Sequence, residues 1–413
     1  MTPLRLKTFT ETEPYVGYAY AYPHKTAYRA LDPPVALRDA WSAERKDALS
    51  LYLHVPFCEM RCGFCNLFTT VNPDGDLTRA WLGALERQSS RVREALGDAR
   101  FARLALGGGT PTWISTDALA ALFAIVDRFG VDLAQTPTSV ETSPRTADEA
   151  KLGLLAERGV ARVSLGVQSF VETETAAAGR AQKLAWVTAA LDRIRAAGFR
   201  TLNIDLMYGL AGQTVATWIE SLRMALRWRP EELYLYPLYV RPLTGLGRHG
   251  ASAEDDLRLA CYRAGRELLL AEGYAQRSMR MFRAPWAPAQ DGPVYCCQDD
   301  GMVGLGCGAR SYTRSLHYSS EWAVGARGVR EILAEYVARP ASAFERIDHG
   351  CWLDDEEQRR RWLIKSLLQV EGVDLGAWRA RFGSDLASDL PELAALAEDA
   401  LTTRDGDALR LTP

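Results

Sequence analysis

Between residues 50 and 275, a short apolar run followed by an amphipathic helix recurs at roughly thirty to forty residues per repeat, the spacing of βα units. No other feature narrows the fold so far. The strands read as 51–55, 103–106, 139–142, 162–167, 202–206 and 232–236, and the helices as 77–96, 117–129, 147–158, 184–197, 215–228 and 255–272. Gly130, Gly159, Gly198 and Gly273 follow four of these helices, where a left-handed C-cap is expected. Thr146 and Glu149 read as a capping box at the third helix. Cys261 falls in register with Leu257, Ala264 and Leu268 on the last helix and reads as core. Six βα units make an open parallel sheet or a partial barrel, since a full barrel takes eight. In such barrels chemistry sits on the loops at the C-terminal ends of the strands.

The loop after the first strand is Cys58-Glu-Met-Arg-Cys62-Gly-Phe-Cys65, spaced C-x3-C-x2-C. Three thiolates on one tight loop can hold three irons of a 4Fe–4S cluster. A zinc knuckle or a chance grouping is the bland alternative, but structural zinc wants a fourth Cys or His at short spacing. None lies nearby, so one iron is left open. The pattern resembles the radical S-adenosylmethionine (SAM) superfamily. That resemblance implies SAM on the open iron and electron transfer that releases a 5′-deoxyadenosyl radical.

At 413 residues the chain has room for two or three domains. A net charge of −3 gives no reason to expect nucleic acid or an anionic membrane as partner. No apolar run reaches membrane-span length, and the first residues lack the apolar core of a signal peptide; a cytoplasmic protein is expected. Eight cysteines in this length do not read as a secreted disulfide framework. An exposed cluster implies a reducing, low-oxygen workplace.

The chain divides into a Tyr-rich arm (1–45), a barrel (46–275), an extension that adds strands or a flap (276–350), and a small C-terminal helical domain (351–413). The arm puts five tyrosines into residues 15–29, together with His24, Lys25 and Arg29. Alternating Tyr and Ala suggest an extended segment. The arm either packs its tyrosines on the barrel wall or closes over the active site and touches substrate with His24, Lys25 or Arg29. The C-terminal part reads as helices at 354–370, 375–382 and 390–401, then a β wing, which is winged-helix-like.

Gly107-Gly-Gly109-Thr-Pro-Thr112 follows the second strand, and three glycines let backbone approach a ligand closely. Glu141, Gln168 and Asp205 lie at successive strand ends, with Arg180 in a nearby loop. Carboxylates at strand ends can hold ribose hydroxyls, and Arg180 can hold a carboxylate bidentately.

These motifs, with Tyr52-Leu-His-Val-Pro-Phe-Cys58, Ser164-Leu-Gly-Val-Gln168 and Asn203-Ile-Asp205, resemble oxygen-independent coproporphyrinogen III oxidase and its relatives. The resemblance implies a partial (β/α)6 TIM-like barrel of the radical SAM type and two bound SAM molecules. Tyr52, Gly108 and Glu141 would touch the cluster-bound SAM. Phe64, Gly109, Thr110, Gln168, Arg180 and Asp205 would touch the second. The arm and the segment Gly308-Ala-Arg310-Ser-Tyr312 instead look like class C radical SAM methyltransferases, which tailor thiopeptides and similar natural products. The expectation is therefore C-methylation of a thiazole or similar heteroaromatic in a small-molecule or modified-peptide substrate, with flavodoxin or ferredoxin as electron donor. Porphyrinogen decarboxylation, cyclopropanation and heme chaperoning are the alternatives. No catalytic base stands out; His24, His317 and Tyr312 are candidates, whereas His54, inside the first strand, reads as packed. Cys296, Cys297 and Cys307 could form a second cluster site, but vicinal cysteines cannot easily share one cluster.

Overall fold

The structure, a computed structural model, describes Tyr15 and residues 21–251, 253–289 and 295–412. One sheet of thirteen strands organises it. Strand β1 (Arg29–Ala36) lies at one edge. Six parallel strands form the middle: β2 (Leu49–Val55), β3 (Phe101–Gly108), β4 (Thr138–Thr142), β5 (Arg162–Gln168), β6 (Thr201–Tyr208) and β7 (Glu232–Pro237). They stand side by side in chain order, as a radical SAM partial barrel requires.

Period-two alternation sorts each strand into two faces. In β2, Leu51, Leu53 and Val55 point outward and are at most 1% exposed. Ser50, Tyr52 and His54 point inward. The helices cover the outer face. Helix Gly75–Leu96 buries Trp81, Ala84, Leu85, Val92 and Leu96 there, with Trp81 edge-on to Phe57 at 5.3 Å. Burying each large apolar side chain stabilises by roughly 1.5–3 kcal/mol. Cys261 belongs to this core, as its helical register predicts.

The predicted capping box is not used. Asp148 caps helix Glu149–Glu157 by accepting from the Lys151 amide at 2.9 Å. The Thr146 hydroxyl instead joins a buried network with Thr112 and Ser143.

The sheet continues past both ends of the six strands. β8 (Met281–Arg283) runs antiparallel to β7, with Ala275–Gln276 beyond it. At the other end β9 (Met302–Leu305) pairs in parallel with β2. β10 (Arg310–Tyr312), β11 (Leu316–Ser319) and β12 (Arg346–Trp352) follow, and β12 pairs with β1. The extension thus supplies strands. Strand β1 carries Pro33 and Pro34, which an edge strand tolerates because its outer side needs no donors.

The C-terminal part has its own core of Leu363, Val373, Leu375, Trp378, Leu386 and Leu390. Its expected wing is the hairpin Thr402–Asp405 and Ala408–Leu411, joined by Val373–Asp374. The single helix expected over 390–401 is broken into short turns, because Pro391 disfavours helical backbone at Leu390. Helix Asp355–Leu367 meets both ends of the sheet. Its buried Arg361 lies 2.9 Å from His317 of β11. Just past its other end, Gln369 bridges to Ser278 and the Val370 amide donates to the Arg277 carbonyl at 3.1 Å, beside β8.

Candidate active site

The cysteine loop leaves the C-terminal end of β2 and is stapled by backbone. The Thr70 amide donates to the Pro56 carbonyl at 2.7 Å, and the Asn72 amide to the Cys58 carbonyl at 3.0 Å. Gly63 is gripped from two sides, donating to Ala178 and accepting from Leu246. A Cβ there would lie 2.9 Å from the Ala178 oxygen. Phe64 packs in a satellite cluster with Ala178, Met207, Leu210 and Leu238. All three thiols are free, and Cys58 lies 3.5 Å from the Thr110 hydroxyl. Burial pushes the Cys58 thiol up to about 12 and also raises Cys65; a bound metal's charge reverses that and favours thiolate.

The glycine loop makes room for the protein itself. A Cβ on Gly107 would meet the Glu141 carboxylate at 2.9 Å, and one on Gly109 the Phe57 oxygen at 2.4 Å. Gly108 has φ 107° and faces the His54 ring. Its amide donates to Glu141 at 3.2 Å. The Glu141 side chain is open to water, yet protein surrounds it on every side. That enclosure, with Asp205 across the barrel, raises its carboxyl to about 7.

On β5 and β6 the inward side chains form a polar network. Asp205 accepts from the Ser164 hydroxyl at 3.1 Å and from the Asn203 amide at 2.7 Å. Burial raises the Asp205 carboxyl. Asn203 is fully buried, and its carbonyl oxygen has no donor among the described residues. Gln168 ends β5 in the left-handed region at φ 69°. All three Arg180 nitrogens are engaged, by Gln182, Cys62 and Gly166. These contacts use three of its five N–H donors and fix the guanidinium beside Cys62 and Gly166. Deeper in, Arg162 pairs with Glu232 at 2.7 Å, and Tyr234 and Tyr236 stack at 6.0 Å.

The arm reaches this mouth. Tyr15 lies edge-on to Tyr208 at the end of β6. The Tyr22 backbone N–H donates to the Gln298 side-chain oxygen and its carbonyl accepts from the Gln298 side-chain amide, while the Tyr22 hydroxyl donates to Glu357 at 2.7 Å. Lys25 donates to the Asn66 carbonyl at 3.1 Å. Arg29 donates to its own arm, to the Tyr28 carbonyl at 2.8 Å. The alternating Tyr/Ala stretch at 16–20 lies outside the described residues.

Of the candidate bases, only His24 stands at the mouth, exposed and with its imidazole lowered by partial burial and by Lys25. His317 does not belong to the site. It is fully buried, accepts from Arg361, and is pushed down to about 2 by burial and that guanidinium. Tyr312 lies tilted against it, with ring centroids 4.4 Å apart. Cys307 is buried in the main core, so Cys296 and Cys297 gather no third ligand from it. Arg162, Arg241 and Arg310 escaped sequence reasoning, because arginines on strands and loops carry no spacing signal.

The donor set fits a cluster with an open iron. It has three thiols outside any disulfide on a backbone-stapled loop, and the buried Asn203 side-chain oxygen has no donor among the described residues, an acceptor that a cofactor rich in hydroxyl and amino groups would suit. Among the described residues no three His, Cys, Asp or Glu side chains crowd close enough to share one metal ion. A cubane cluster asks for no such crowding, because each thiolate takes a different iron. Fold and site together define a radical SAM protein. The radical SAM superfamily model matches residues 52–225, and the HemN C-terminal domain model matches residues 353–413. The oxygen-independent coproporphyrinogen III oxidase of Bradyrhizobium diazoefficiens is 28% identical over 87% of this chain and 82% of its own. The heme chaperone HemW of Escherichia coli is 30% identical over 63% of this chain and 69% of its own. The solved structure of the Escherichia coli coproporphyrinogen III oxidase superposes with a TM-score of 0.82 at 24% identity, covering 96% of this chain and 93% of that one. The chain belongs to the HemN-like radical SAM family, which embraces coproporphyrinogen III oxidases and HemW. Members of that family carry a 4Fe–4S cluster and SAM.

These relatives overturn the expected C-methyltransferase of the thiopeptide type. The segments that suggested it have structural employment. Residues 310–312 are strand β10, and a Cβ on Gly308 would strike the Phe68 side chain at 2.8 Å. They report packing against the cluster loop, not a substrate. No helix among the described residues is long and apolar enough to cross a membrane.

Proposed function

We propose that Cys58, Cys62 and Cys65 hold the 4Fe–4S cluster, that SAM sits between Tyr52, the glycine loop and Glu141, and that the chain oxidatively decarboxylates a porphyrinogen of the coproporphyrinogen type. One observation carries the substrate class. The barrel interior is lined with charged and phenolic side chains, including Glu141, Asp205, Arg162, Tyr234 and Tyr236, which suits a multiply charged pyrrolic substrate. A carrier of heme would instead need an apolar slot and an axial ligand.

When bound and reduced, the cluster with SAM supplies a carbon radical able to take hydrogen from an unactivated C–H bond. A propionate side chain loses a hydrogen atom from its β-carbon, and the bond to its carboxyl carbon breaks. Carbon dioxide leaves, and one electron passes to an external acceptor as the vinyl group forms. The protein's part is orientation and exclusion of water. Glu141 and the Asn203 carbonyl accept from ligand hydroxyl or amino groups, while the arm covers the mouth. A second SAM would rest on Phe64, Gly109, Thr110, Gln168, Arg180 and Asp205. A flavodoxin or ferredoxin is the proposed electron donor.

The test is anaerobic incubation of the reconstituted protein with reductant, SAM and coproporphyrinogen III. Formation of 5′-deoxyadenosine together with a product lacking a carboxyl group is expected. Tight heme binding with no porphyrinogen turnover would overturn the reading in favour of the heme-chaperone branch of the family.

A further inference from the structure

The second cysteine of the cluster loop meets a cation that another part of the chain holds in place. Arg180 Nη1 lies 3.3 Å from the Cys62 sulfur and donates to it. The guanidinium is fixed on its other sides. Nη2 donates to the Gly166 carbonyl, near the end of β5, at 2.6 Å, and Nε to the Gln182 side-chain oxygen at 3.0 Å. Gln182 is itself buried, and its amide donates to the carbonyls of Val167 and Ser169 at 2.8 and 3.2 Å. Backbone brings the two loops together independently of these side chains. The Gly63 amide donates to the Ala178 carbonyl at 2.9 Å, and a Cβ on Gly179 would lie 2.9 Å from the Gly63 nitrogen. A chain of contacts thus runs from the end of β5 through Gln182 and Arg180 to Cys62. Hydrogen bonds to the sulfurs of an iron–sulfur cluster are among the levers that set its reduction potential. A gained electron adds negative charge to the cluster and its thiolates, and a charge-assisted bond from a guanidinium stabilises that state.

We propose that Arg180, positioned by Gln182, raises the reduction potential of the cluster through its bond to the Cys62 thiolate. The proposal rests on the cluster ligands proposed above. Reduction here is the uptake of one electron from an external donor, and no bond in the protein is made or broken. The Thr110 hydroxyl, 3.5 Å from Cys58, is a longer and neutral contact, so the charged one dominates. Arg180 spends three of its five N–H donors on these partners, so a role at the cluster leaves room for the SAM contact proposed above.

The experiment is a redox titration of the anaerobically reconstituted, cluster-loaded protein without SAM, followed by electron paramagnetic resonance of the reduced cluster. Wild type, R180M, R180K and Q182L are compared. R180M should cut the reduced-to-oxidised ratio at a fixed ambient potential about tenfold, a fall of about 59 mV for one electron. Q182L leaves Arg180 and the cysteines in place and should lower the ratio about threefold. R180K keeps the charge but not the planar fork, and should lie between R180M and wild type. SAM binding is read in parallel through the change in the same resonance. Potentials equal to wild type in both R180M and Q182L overturn the proposal while the cluster assignment stands. If SAM binding weakens in those variants at an unchanged potential, Arg180 serves SAM alone and the proposal is again overturned. A wild-type protein that loads no cluster removes the cluster assignment and the proposal together. If R180M fails to load its cluster, Q182L decides: a lowered potential supports the bond to Cys62, and an unchanged one overturns it.

Discussion

His54 makes the protein's resistance to acid a local property that can be measured. The ring is 4% exposed and lies between Tyr52 and the cluster loop. Its Nε2–H donates to the Phe68 carbonyl at 2.9 Å, and Nδ1 faces the Tyr52 hydroxyl at 3.3 Å. Burial pushes the imidazole down to about 4 from an ordinary 6.5. In the folded chain the ring stays neutral until about pH 4, whereas in the unfolded chain it takes a proton near 6.5. Between these limits the unfolded state binds more protons, so stability falls as pH falls. The gap of about 2.5 pH units, at about 1.4 kcal/mol each, amounts to about 3 kcal/mol. His54→Gln keeps a donor for the Phe68 carbonyl but cannot titrate. Urea unfolding of the cluster-free protein from about pH 7 to about pH 4 should show wild type losing about 3 kcal/mol more than His54→Gln. The contribution of His317 is common to both proteins and cancels in the comparison. Parallel stability curves would refute the assignment of a buried neutral ring.

Three further outcomes follow from the geometry. Cys62→Ala should abolish the cluster's visible absorbance and all SAM cleavage, and a variant that retained either would sink the cluster assignment. Gly109→Ala puts a methyl group 2.4 Å from the Phe57 carbonyl oxygen, where only backbone can yield. It should cost about 1–3 kcal/mol of stability and reduce cluster loading, both readable by denaturation and iron content. Arg361→Met leaves buried His317 without its donor and Asp299 without one of its two cations. It should cost about 3 kcal/mol and expose the linker before residue 355 to limited proteolysis; unchanged proteolysis would show that the helix docks without that pair.

The parallel core was legible because its short strands alternate apolar and polar residues at period two and several of the helices between them end in glycine. The cysteine loop was legible because its spacing is local. Strand β1 was not, because two prolines and an exposed edge hide any alternation. Strand β9 pairs with β2, and β12 with β1, across more than two hundred residues of sequence, and no local pattern encodes that. At the site, Glu141 and Asp205 face the barrel as their strand positions imply. For Arg180, sequence gives a guanidinium but not its partners inside the protein, which are Gln182, Cys62 and Gly166. His317 shows the converse: a histidine beside a glycine-rich segment reads as reactive, while burial under Arg361 keeps it from holding a proton near neutrality. The substrate class misled most, since residues 308–312 look distinctive for reasons of packing.

Helix Asp355–Leu367 joins the two ends of the sheet, and it lies in the last sixty residues of the chain. Domains form in order as the chain leaves the ribosome. The cysteine loop therefore emerges some three hundred residues before the brace that closes the barrel around it. The parallel core and its cysteine loop are thus complete in sequence long before the helix that ties the flanking strands together has been made.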